Sequence, residues 1–102
     1  MSKENGWLVF VPTYSKEGKE FAIEHHRAFD RFVRERTGGL TLLRSAKGEW
    51  INPTGKLYRE GMIPVIIVGK RSHIIEILDF IKTHYDQEAA LALRIADEVL
   101  LK

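Results

Sequence analysis

The stretch that decides the fold is Gly38–Val68, GGLTLLRSAKGEWINPTGKLYREGMIPVIIV. Inside it, Asn52-Pro53-Thr54-Gly55 supplies turn chemistry, with proline presetting φ at one position and glycine free to take a positive φ at another. The flanking runs read as two strands of one hairpin, Leu40 to Trp50 with an interruption at Lys47-Gly48, and Lys56 to Val68. Gly61 and Pro64 disturb the second arm. Proline cannot donate to a ladder, so a bulge or a free edge is expected near residues 61 to 64. Beyond them, Val65-Ile66-Ile67-Val68 has the continuous apolar character of a strand buried on both faces.

Working outward, Trp7-Leu8-Val9-Phe10-Val11 is a short apolar run closed by Pro12, which fits a central strand. Ser15 is the expected cap of a first helix, whose apolar positions Phe21, His25, Ala28, Phe29 and Phe32 recur at helical spacing and whose end is set by Gly38-Gly39. After the hairpin, Ser72 opens a second helix with Ile74, Leu78, Ile81 and Tyr85 on one face and Glu76, Asp79 and Lys82 on the other. Ala89 to Ile95 reads as a last strand, with Val99-Leu100-Leu101 extending it or pairing with a neighbouring subunit. The order is β-α-β-β-α-β, the α+β arrangement called ferredoxin-like, with a four-stranded antiparallel sheet, two helices on one of its faces and a long hairpin between its second and third strands. The opposite face is then left to water or to another chain. The second and third strands carry Leu40, Leu42, Trp50, Leu57, Met62 and Ile63, more apolar surface than one helical layer covers, so a homo-oligomer is expected, a trimer first.

Composition sets the outer limits. With 102 residues, 44% of them hydrophobic and 29% charged, the chain suits one domain over residues 1–102, with residues 1–6 flexible, that buries roughly 60 to 70% of its unfolded surface. No stretch approaches the ~20 apolar residues of a membrane span, and MSKENG lacks a signal core, so no membrane partner and a cytoplasmic location are expected. The absence of cysteine excludes disulfides, thiolate metal sites and a cysteine nucleophile. His25 and His26 are adjacent on a helix and point about 100° apart, and His73 and His84 fit exposed places near helix ends; no metal site and no cofactor are expected. The net charge of +2 comes from 16 basic and 14 acidic residues that are interleaved. The densest basic stripe, Arg27, Arg31, Arg34 and Arg36 with Lys19 nearby, is broken by Glu24, Asp30 and Glu35, which reads as a solvated helix face more than as a nucleic-acid surface.

The hairpin also holds the candidate chemistry. If its loop is Asn52 to Gly55, Glu49 lies opposite Tyr58 and Lys47 opposite Glu60, so a phenol, two carboxylates and an ammonium converge on one face. The plain structural reading of the same residues is an exposed Lys47–Glu60 ion pair under Tyr58, worth well under ~1 kcal/mol.

On Tyr58-Arg59-Glu60, and on Gln87 in HYDQEAALAL, the chain resembles the bacteriophage S-adenosylmethionine lyases over about Trp7 to Leu93. It is equally similar to uncharacterised bacterial domains that share Gly39-Leu40-Thr41, Gly48-Glu49-Trp50, Arg59-Glu60 and Gln87-Glu88, and that resemblance brings no activity. The lyase resemblance implies a trimer with a small-molecule ligand between subunits. In it the ligand's own carboxylate attacks the carbon on the sulfonium, releasing methylthioadenosine and a lactone. It implies catalytic roles for Glu60, which holds the cationic group, and Gln87, which orients the ligand, with Tyr58, Glu49 and Lys47 as ligand contacts. Gln87 as a plain helix-end cap, and the whole chain as a non-enzymatic ligand-binding or scaffolding oligomer, stand beside those implications.

Overall fold

The computed structural model describes residues 4–102. Seven elements follow one another: β1 Asn5–Pro12, α1 Ile23–Thr37, β2 Thr41–Leu42, β3 Ala46–Ile51, β4 Leu57–Gly69, α2 Arg71–His84 and β5 Ala92–Ala96. All strand pairs are antiparallel, in the order β2-β4-β1-β5, with β3 pairing β4 beyond β2. This is the ferredoxin-like βαββαβ plan, its second strand split into β2 and β3 so that the sheet counts five strands instead of four. Residues 1–3 of the expected flexible start lie outside the described residues, while Asn5 and Gly6 are already paired with Gly69 and Val68.

The alternation along β1 and β4 sends Trp7, Val9, Val11, Val65 and Ile67 to one face, where they meet Phe29 and Val33 of α1, Ile74, Ile77 and Ile81 of α2, and Tyr85. Burial of this single set supplies most of the driving force for folding. The Trp7 indole N–H donates to the Gly69 carbonyl at 3.0 Å, which satisfies the one polar atom the ring takes inside.

Four sequence expectations change; first, the interruption of the second strand falls at residues 43–45, where the ladder bulges, and not at Lys47-Gly48, which are paired within β3. Ser15 does not cap α1. Its hydroxyl accepts from the Lys19 amide and its own amide donates to the Lys19 carbonyl, closing a tight loop, and the helix starts only at Ile23 behind Ala22 with no side-chain cap. The last strand starts at Ala92, not Ala89, because the turn after α2 runs on past Asp86, which adopts a positive φ of 53°, and Gln87. Pro64 sits inside an unbroken β4, opposite Phe10, and the irregularity falls on the facing strand instead. From Leu42↔Val65 to Ala46↔Met62 that strand advances four positions (42 to 46) while β4 advances three (65 to 62), a one-residue bulge that separates β2 from β3. The Pro64 carbonyl accepts from Leu43, so its missing N–H would have pointed at this same break in the ladder, where it costs no hydrogen bond.

Candidate functional site

The β3–β4 hairpin leaves the body as a two-stranded arm, and its loop sets what each face carries. The Gly55 amide donates to the Asn52 carbonyl at 2.9 Å and the Asn52 amide to the Lys56 carbonyl at 3.0 Å. The Asn52 side-chain oxygen accepts from the amides of Thr54 and Lys56 and from the Thr54 hydroxyl. Gly55, at φ 88°, takes the left-handed position of a three-residue loop, and the strands close on Asn52 and Lys56. The closing pair is thus one residue further along than a two-residue reading of the turn gives.

That single step separates the expected cluster. Glu49 is opposite Arg59, not Tyr58, and Lys47 is opposite Gly61, not Glu60. Opposed residues share a face, so Lys47, Glu49 and Arg59 are on one side of the arm, and the Arg59 guanidinium donates to Glu49 at 2.9 Å. Tyr58 and Glu60 are on the other side, where their partners are Trp50 and Gly48.

The Tyr58–Glu60 side continues the sheet face that neither helix covers. By alternation that face carries Leu8 and Phe10 of β1 and Met62, Pro64, Ile66 and Val68 of β4 before it runs out along the arm. Within β1, β3 and β4, Glu60 is the one charged side chain placed on it. Trp50 and Tyr58 beside it are 46% and 40% exposed. Gly48 is what lets this surface lie flat, since a Cβ there would strike the Met62 methyl and come within 3.1 Å of the Trp50 indole nitrogen. At the mouth, the Lys56 ammonium stands 4.9 Å from the Tyr58 ring centroid, so that ring already presents a face to a cation. Trp50, which the sequence reading counted only with the apolar surface of the hairpin, stands opposite Tyr58 in this register.

Gln87 sits after α2, with its side-chain amide donating to the carbonyls of Tyr85 (3.0 Å) and Asp86 (3.4 Å) and its backbone amide to Lys82 (2.8 Å). This caps the end of the helix. The Lys16 ammonium reaches Asp86 at 3.8 Å, tying this turn to the β1–α1 loop, and that loop touches the base of the arm where the Thr13 amide donates to the Gly61 carbonyl at 3.1 Å. The side-chain hydrogen bonds of Gln87 go to its own turn and not to Glu60.

A second set of polar groups lies between the helices, and it includes His84, which the sequence pattern places on the surface. The His25 and His84 rings stack at 3.7 Å, and each donates from Nε2 to the other's backbone carbonyl, at 2.6 and 2.7 Å. Phe21 stacks on the outer side of His25 and Phe80 on that of His84, and Phe32 continues the column to Arg36, whose guanidinium also pairs with Glu76. Arg36 is thereby removed from the basic stripe of α1. The buried Tyr85 hydroxyl shares a 2.7 Å hydrogen bond with His26 Nδ1. Burial pushes the Tyr85 phenol well above its usual range, and burial together with the His25 charge holds His26 below the ordinary imidazole value. These groups join the helices; among the described residues no group of three or more His, Cys, Asp or Glu side chains is placed to hold a metal ion.

No protein-family model matches the chain, and no curated protein sequence matches it either. Solved structures do. The chain is similar to a phage S-adenosylmethionine lyase in complex with S-methyl-5'-thioadenosine at 14% identity and a TM-score of 0.67, over 90% of this chain and 80% of that one. It is also similar to the periplasmic divalent cation tolerance protein CutA of Archaeoglobus fulgidus, at 15% identity and a TM-score of 0.69, over 98% and 89% of the two chains. A third similarity is to the divalent cation tolerance protein of Thermus thermophilus, at 15% identity and a TM-score of 0.64, over 95% and 88%. At such identities the likeness is one of fold. Among the described residues no helix is long and apolar enough to cross a membrane.

Proposed function

We propose that this chain assembles with copies of itself through the uncovered sheet face and binds a small organic cation of the sulfonium nucleoside class beside Tyr58 and Glu60. The observation that carries the reading is the placement of Glu60, flanked by Trp50 and Tyr58, as the one charged side chain that β1, β3 and β4 put on the uncovered face. A carboxylate beside aromatic faces suits a cation that is itself partly apolar, and covering the face with a second chain strengthens that attraction by lowering the local dielectric. A two-stranded arm is marginal in water by itself, which is a further reason for it to be covered.

The reaction we assign is the cleavage of S-adenosylmethionine. The ligand's carboxylate oxygen forms a bond to its own γ-carbon as the carbon–sulfur bond breaks, the electron pair leaves with sulfur as neutral methylthioadenosine, and homoserine lactone keeps the ammonium. No proton is gained or lost, so the protein has to bind, orient and exclude water. Glu60 holds the ammonium or sulfonium, Tyr58 and Trp50 flank the ligand, and Gln87 of an adjacent chain orients it after turning away from its own helix end. Lys47 and Glu49, on the far side of the arm, contact a ligand only where a third chain brings that side to a boundary. The protein would act in the cytoplasm as a trimer, with no cofactor.

Incubating purified protein with S-adenosylmethionine and following methylthioadenosine tests the reading. Turnover that falls on the order of a hundredfold in Glu60→Gln is the expected result. Absence of both turnover and binding would sink it. The engagement of Gln87 by its own helix end favours a second reading, a ligand-binding oligomer without catalysis, which binding without turnover would identify.

A further inference from the structure

Two apolar features remain unpartnered, and they lie at opposite edges of the sheet. At the β2 edge a groove of about 280 Å³ between α1 and the strands is lined by Val11, Ile23, Phe29, Leu42 and Ile63, with His26 beside them. Ile23 and Leu42 are 59% and 52% exposed, so the groove is open along its length. Its rim carries one charge of each sign, Arg27 and Asp30, one turn apart on α1. At the other edge the chain leaves β5 at Ala96 and runs on as Asp97-Glu98-Val99-Leu100-Leu101-Lys102. Leu100 and Leu101 there are 85% and 99% exposed, the most exposed large apolar side chains among the described residues.

In the structure these residues do not fill the groove of their own chain: Leu100 and Leu101 stand exposed. The strand order puts β5 and β2 three spacings apart, roughly 14 Å at about 4.8 Å each, and α1 and α2 occupy the face between them. A head-to-tail contact removes the obstacle, because the β5 edge of one copy then meets the β2 edge of the next. The chemistry of the two features also matches: three consecutive apolar residues flanked by Glu98 and Lys102 face an apolar groove flanked by Arg27 and Asp30.

We infer that residues 97–102 of one copy seat in the α1–β2 groove of the next, with Leu100 and Leu101 entering it and Glu98 and Lys102 pairing with Arg27 and Asp30 on the rim. The contact is heterologous, so it closes into a ring when the rotation per copy divides a full turn. It rests on the self-assembly proposed above and adds to the uncovered face a second, edge-to-edge contact on the helix side of the sheet.

The test is sedimentation of the full chain across a concentration series, with circular dichroism confirming that each variant is folded. Leu100→Asp with Leu101→Asp, and separately Ile23→Asp, alter exposed side chains and are expected to raise the dissociation constant on the order of a hundredfold. Arg27→Glu and Glu98→Arg should each weaken assembly, and the two together should restore it. A wild-type oligomer that the leucine changes leave intact would overturn the seating while sparing self-assembly. Dissociation by the leucine changes with no rescue by the paired charge swap would overturn the groove as the seat. A wild-type chain that is monomeric throughout would overturn both proposals.

Discussion

The two halves of β4 share a strand but not an environment. From Val65 to Gly69 it pairs with β1, and at Val65 and Ile66 with β2 as well, with the helices above it, and Val65 and Ile67 are wholly buried; from Leu57 to Glu60 it pairs only with β3, and every residue is exposed. Both halves contain apolar residues, so hydrophobicity alone does not separate them. What separates them is the number of layers each has to bury against, and the arm has none.

Five measurements sharpen or break that contrast. The largest effect is expected from Ile67→Ala, which should cost about 2–5 kcal/mol by chemical denaturation, whereas Leu57→Ala on the arm should cost under about 1 kcal/mol under conditions where the chain is monomeric. Equal losses at the two positions would mean that the arm is already packed within one chain.

Next comes Tyr85→Phe, which leaves His26 without its partner and should cost about 1–3 kcal/mol. The same pair predicts a pH dependence. His26 has a folded-state value below the 6.5 of a free imidazole, so the folded state disfavours its charged form; its contribution is complete above pH 6.5 and is lost as the pH falls below it. Denaturation midpoints between neutral and acid pH should show that loss, and His26→Gln should flatten part of it. A slope that the substitution leaves unchanged would remove His26 from the account.

Gly55→Ala should cost roughly 1–2 kcal/mol in the arm, because a side chain at a φ of 88° is strained. Hydrogen exchange should show the change confined to β3 and the outer part of β4, with the β1 amides unaffected. The smallest effect belongs to Glu49→Gln. The Arg59–Glu49 pair is mostly solvated, so its loss should change stability by less than about 1 kcal/mol and less still at high salt. A larger effect would mean that this side of the arm is covered.

Much of this was legible in the chain. The helical spacing of Ile74, Leu78, Ile81 and Tyr85, the apolar run from Trp7 to Val11 and the stop at Gly38 are local patterns, and each appears where the pattern puts it, with the Gly38 amide closing α1 onto the Arg34 carbonyl. The candidate site was legible as a list of residues but not as a surface. Tyr58 and Glu60 share a face under either register because they are two apart on one strand. Whether Glu49 or Trp50 faces Tyr58 depends on whether the loop closes at Gly55 or Lys56, and the hydrogen bonds of Asn52 decide that. His25 and His84 are separated by 59 residues, and nothing in either local sequence announces that they stack.

The sequence by itself determined which elements form and in what order, because periodicity, breakers and turn residues act over a few positions. Only the tertiary structure decided the register of the arm, the bulge opposite Pro64 and the joining of the helices through His25 and His84. The bulge and the histidine pair depend on contacts between distant segments, and the register depends on which residue closes the loop onto Asn52, where one residue of slip moves every side chain to the other face of a strand. The isolation of Glu60 on the uncovered face follows from that register, and so does everything proposed for it.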